Sequence, residues 1–217
     1  MSDTRLKHLF IALIFFFVVI FMAGVSMILA SRAIRDAQVF WLAKQALPVA
    51  ILAAFLVVGT VVFDRIKIPY APIIERANGV KGLLPFVPLG GLLFLISVLL
   101  VYAIEGRFSS NNVYAILPHS RFYPYFILTF VFTGLIQPIL EERIFRGRIF
   151  PIASGVIGIS SATVLVSALF SLLHYSNIYS SLFFSVVMCV VALRYGIRAC
   201  ITTHISYNVI SILVDAF

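Results

Sequence analysis

The sequence predicts an all-α protein, a polytopic bundle of about seven membrane-spanning helices. Three observations point there. Hydrophobic residues make up 62% of the 217 positions and charged residues only 11%, whereas soluble domains run near ~45–50% and ~25%. The mean hydropathy is +1.12. Uncharged stretches also recur at about the 20 residues a helix needs to cross a bilayer. A soluble domain of this size could not bury so much apolar surface, so lipid must solvate most of it. A soluble enzyme, a disordered chain and a collagen-like chain are excluded.

The elements follow from the uncharged stretches, which run over 8–31, 45–63, 82–104, 122–140, 149–193 and 199–214. The first begins after Arg5 and Lys7, as a signal peptide would. At 24 residues it exceeds the ~7–15-residue apolar core of such a peptide, so it is read as a membrane helix. The segment 64–81 carries Pro69, Pro72, Gly79 and four basic residues. It separates peripheral N-terminal helices (1–81) from a part (82–217) that holds the chemistry, within one membrane-embedded domain. The stretch 149–193 would measure about 68 Å as one helix, too long for a core of about 30 Å. Its polar interruption from His174 to Ser181 predicts a turn. No internal repeat or low-complexity tract stands out.

The formal charge is +8, from 16 basic and 8 acidic residues. Basic residues flank the spans and anchor them, so nucleic acid is not the expected partner. Seven spans place eleven of the 16 basic residues on the side of the N-terminus, which predicts a cytoplasmic N-terminus. Cys189 and Cys200 lie in apolar stretches and read as small core hydrophobes.

Polar residues inside a membrane are costly and call for a reason. Glu141 and Glu142 follow directly on an apolar run, with Arg146 four residues after Glu142. That spacing pairs Glu142 with Arg146 on one helix face. Glu141 then points about 100° away, as the unpaired carboxylate. Phe170 lies one turn before His174 and can pack on its ring. His204 and Asn208 are four apart and share a face. Singly, each has a bland reading: a solvated helix end, a packing histidine, an interhelical amide. Jointly, they suit amide hydrolysis without a covalent intermediate. A carboxylate beside an imidazole can deprotonate water and pass the proton to a leaving amine. Imidazole and carboxamide donors can hold an oxyanion.

The ordered set Glu141-Glu142…Arg146, Phe170…His174 and His204…Asn208 resembles the CPBP (Abi) family, glutamic intramembrane proteases related to type II CAAX prenyl endopeptidases. The motifs span 68 residues, about a third of the chain. The resemblance implies a membrane-embedded endopeptidase. It implies that Glu141 and His174 activate water and that His204 and Asn208 hold the oxyanion, with Glu142, Arg146 and Phe170 in support. The implied substrate is a membrane-associated protein or peptide, possible forms including a lipidated one, and no cofactor is implied.

Rival readings remain open at this point. Glu141, Glu142, His174 and His204 could bind zinc, but no H-E-x-x-H pair is present. Ser171 near His174, or the Gly158-Ile-Ser160-Ser161 turn, makes a weak serine nucleophile. A transporter could use the charges as a relay, and a binding or immunity protein could keep the fold without catalysis. One geometric demand stands out. A new span beginning at Pro151 would carry His174 about 30 Å from Glu141. Residues 147–160 are therefore expected to break, at Pro151, Gly155 and Gly158, into an interfacial or re-entrant piece.

Overall fold

The computed structural model describes residues 82–105, 126–174 and 177–216, with scattered helical positions between 6 and 57. The expected spans 8–31 and 45–63, the linker 64–81 and the cytoplasmic N-terminus otherwise lie outside the described residues. Every regular element among the described residues is helical. They are α1 (Phe86–Glu105), α2 (Gln137–Ile144), α3 (Phe150–Ile157), α4 (Ile159–Leu173), α5 (Ile178–Tyr195) and α6 (Ile197–Ala216). π-Helical segments at Phe130–Ile136 and Phe145–Ile149 precede α2 and α3. Among the described residues, Phe86–Ile104, Ile178–Tyr195 and Ile197–Asp215 are long and apolar enough to cross a membrane. Seven such helices are not seen there.

The expected break after Arg146 takes a different form. Residues 126–157 run as one unbroken helix, alternating α and π turns, and Pro151 and Gly155 lie inside it. The single break is Gly158, at φ +82 and ψ 162, a conformation open almost only to glycine. Glu141 therefore sits in the middle of a long helix rather than near its end. About 24 Å of helix separates Glu141 from Ile157, and about 22 Å separates Ile159 from His174. The two arms, packed together as α3 and α4, form a hairpin of nearly equal legs. That equality brings His174 back to the level of Glu141. No re-entrant piece is needed.

Pro151 does not break the helix because a wide turn comes before it. A proline ring collides with the carbonyl four residues back and offers no N–H. Here those carbonyls belong to Gly147, for Pro151, and Gly134, for Pro138. A related octad, identical at five of its eight positions, surrounds both: Phe132-Thr-Gly134-Leu-Ile136-Gln-Pro138-Ile139 and Phe145-Arg-Gly147-Arg-Ile149-Phe-Pro151-Ile152. It is a short internal repeat, too brief to stand out in a search for duplicated spans. In each copy the residue before the proline donates its N–H five residues back, Gln137 to Phe132 and Phe150 to Phe145. The ladder widens by one residue, which carries the glycine carbonyl clear of the ring.

α6 packs against α1, α2, α5 and the first π segment, and α4 against α5. The core runs between them through Phe145, Phe150, Val166, Phe170, Phe184, Met188, Cys189 and Cys200. Both cysteines are free and fully buried, in keeping with their apolar setting. Exposed leucines, valines and isoleucines on the outward faces of α1, α4 and α5 fit a lipid surround.

Candidate active site

Glu141 and Glu142 occupy the α2 turn between the two π segments, and both are buried, at 3% and 0% exposure. Glu142 pairs with Arg146 as the spacing requires, Arg146 Nη1 donating to Oε1 over 3.0 Å with neither side chain exposed. The same Oε1 accepts from His204 Nδ1 at 2.8 Å. Arg146 is held on three further sides. Its Nη2 donates to Ser185 Oγ at 2.7 Å and to the Ser185 carbonyl at 3.2 Å. Its guanidinium lies 4.7 Å over the Phe170 ring, a cation–π contact. A buried cation met by a carboxylate, two neutral acceptors and an aromatic face recovers much of its lost hydration.

Glu141 has a different environment. It lacks a cationic neighbour on its own helix and takes a hydrogen bond from Gln137 Nε2 to Oε1, at 2.7 Å. Its Oε2 is buried and accepts no hydrogen bond among the described residues. Two imidazoles face it. His174 Nε2 stands 3.9 Å from Oε1, and His204 Nε2 stands 3.7 Å from Oε2. These gaps exceed a direct hydrogen bond, so neither Nε2 is bonded directly to Glu141.

The tautomers follow from the acceptors. His174 Nδ1 lies 2.9 Å from the Phe170 carbonyl, which can only accept, so Nδ1 carries the proton. In the neutral ring Nε2 then has a free lone pair toward Glu141. The ring also stacks on Phe170, centroids 4.5 Å apart, so the one-turn spacing does bring them together. His174 caps α4 and is 32% exposed in its side chain, which opens this edge of the cluster. His204 is fixed through Nδ1 by Glu142 and wedged against Phe184 at 4.8 Å, leaving its Nε2 facing Glu141.

Asn208 shares the His204 face but is already engaged. Its Nδ2 donates to the Thr133 carbonyl at 2.9 Å. That carbonyl sits in the first π segment, where Gln137 gives its N–H to Phe132 and Pro138 has none to give. The second hydrogen of the amide remains for another acceptor. Among the described residues, no group of three or more His, Cys, Asp or Glu side chains is arranged to hold a metal ion.

Sequence reasoning passed over Gln137 and Ser185. Gln137 lies four residues before Glu141, so the helical pairing rule could have found it. Ser185 is 39 residues from Arg146 and carries no local signal.

Residues 123–210 match the family model for type II CAAX prenyl endopeptidases, Rce1-like. The matched segment contains all three motifs and every side chain of the cluster. A search of curated proteins and of solved structures gave no match. The family match supports a membrane protease and agrees with the resemblance carried by the motifs.

Proposed function

We propose that this Rce1-like segment is an intramembrane glutamic endopeptidase acting on a membrane-associated protein or peptide. One observation carries the reading: two imidazole Nε2 atoms face the two oxygens of a single buried carboxylate, at 3.9 and 3.7 Å. A water held between Glu141 Oε1 and His174 Nε2 gives up a proton to this pair as its oxygen attacks the scissile carbonyl carbon. The carbonyl oxygen becomes an oxyanion, met by the remaining Asn208 N–H and, when both ring nitrogens carry protons, by His204 Nε2–H. The stored proton then passes to the amide nitrogen, the C–N bond breaks, and acid and amine products leave. One water is consumed, and no metal or covalent intermediate is invoked.

Glu142 serves this scheme without touching the substrate. Its bond to Nδ1 fixes the His204 ring and stabilises the form with a proton on Nε2, as a carboxylate does behind a catalytic histidine. The test is a proteomic comparison of membranes carrying the wild type or Glu141→Ala. A cleavage product present only with the wild type is expected. Identical peptide termini in both membranes would count against the reading.

A further inference from the structure

We infer that Gly90, on α1 and outside the segment matched by the family model, is a positioning residue that sets the depth of His204 in the site. α1 carries an adjacent pair, Gly90 and Gly91, where a helix in lipid gains nothing from glycine by propensity. The two face different obstacles. A Cβ at Gly90 would meet the Thr203 carbonyl oxygen at 2.5 Å, Ser206 Cβ at 2.6 Å and the Tyr207 nitrogen at 2.9 Å. Two of these are backbone atoms of α6 in the turn that holds His204. A Cβ at Gly91 would meet only the tip of Ile210, Cδ1 at 3.1 Å, which a side-chain rotation can move aside.

An adjoining face of that turn, about a quarter turn round α6, makes the short contacts of the site. His204 Nδ1 is 2.8 Å from Glu142 and Nε2 is 3.7 Å from Glu141. The turn 203–207 of α6 thus meets the Gly90 backbone on one face and, through His204, the two glutamates on the next. Close helix approach through glycine is a known mode of packing in membranes. Here it fixes a hydrogen bond rather than only an interface. An alanine at 90 needs about 1 Å more room to reach ordinary contact, and no rotamer supplies it. α6 must move, and with it the imidazole. Phe94 on the next turn of α1 meets Tyr207 edge-on at 5.7 Å, so the displaced segment stays in contact with α1 rather than floating free.

The bearing of this on catalysis rests on the endopeptidase reading above, but the placement of His204 can be tested without any substrate. The probe is the Nδ1–H proton resonance of His204, shifted downfield by its bond to the Glu142 carboxylate. It is read in full-length protein with labelled histidine, in lipid nanodiscs, and assigned by its loss in His204→Gln. Gly90→Ala is expected to move or abolish this resonance, while Gly91→Ala leaves it in place. Once a substrate is in hand, Gly90→Ala is expected to lower kcat at least tenfold with KM within about twofold. Should Gly90→Ala fail to accumulate, Gly90→Ala with Ser206→Gly, which removes one of the three obstructing atoms, replaces it with the same expectation. An unchanged resonance in either variant overturns the inference. So does failure of both to fold while Gly91→Ala folds, since Gly90 would then serve assembly alone. A displaced resonance in a protein that also proves inactive as wild type would sink the endopeptidase reading and leave the positioning role standing.

Discussion

Removing the charge of Glu142 should destabilise the protein more than any other single change in the cluster. In Glu142→Gln the Arg146 guanidinium stays fully buried without its counter-ion. Breaking a buried ion pair on one side costs about 3–5 kcal/mol. The amide oxygen of Gln has two lone pairs and can keep both bonds now made to Oε1, from Arg146 and from His204, so the low end of that range, about 3 kcal/mol, is expected. For a chain of this size that lowers Tm by about 6–12 °C. The buried free cysteines Cys189 and Cys200 make a natural assay, since a thiol-reactive dye labels them only as the bundle opens. Adding Arg146→Met removes the stranded cation and should restore at least half of the loss. A Tm within about 1 °C of wild type for Glu142→Gln, or a double variant worse than the single one, would refute this account of the pair.

Three further outcomes follow from the same geometry. Asn208→Ala takes the donor from the Thr133 carbonyl and should cost about 1–2 kcal/mol in thermal unfolding, with Asn208→Asp worse because a carboxylate then faces that carbonyl. Gly155→Ala, whose Cβ meets nothing within 4 Å, should be neutral or stabilising by up to about 1 kcal/mol, whereas Gly158→Ala, at φ +82, should lose about 1–3 kcal/mol; equal midpoints would contradict the single-break hairpin. Peptide cleavage by purified protein should survive chelator, and loss reversed by zinc would favour a metal-dependent reaction.

Much of the site was legible because its rules are local. The Glu142–Arg146 pair and the Phe170–His174 stack are one-turn relations, and helical geometry alone demands them. The meeting of Glu141 with His174 was legible as a demand, but its route was not. Pro151 reads as a break because its ring strikes the carbonyl of Gly147. The π turn before it moves that carbonyl, and nothing in a period of 3.6 announces a turn that departs from it. The break fell instead at Gly158, which leaves legs of matching length. Asn208 was legible as a donor on the His204 face, while its bond to Thr133 depends on a carbonyl freed by the first π turn. Ser185 depends on the packing of distant helices and leaves no local trace, and the Gly90-Gly91 pair marks a close approach without saying to which helix.

Glu141 is the centre of the account, because among the described residues it alone faces both imidazoles and pairs with no lysine or arginine. The most direct measurement is the cleavage rate of Glu141→Gln under single-turnover conditions, on the product identified from membranes, with Tm measured on the same sample. The amide keeps the size of the side chain and, through its oxygen, the bond from Gln137, but it cannot take a proton from water. The account predicts a folded protein with Tm near wild type and cleavage reduced at least a hundredfold, about 2.7 kcal/mol of barrier. Cleavage within tenfold of wild type in a folded Glu141→Gln protein would contradict it.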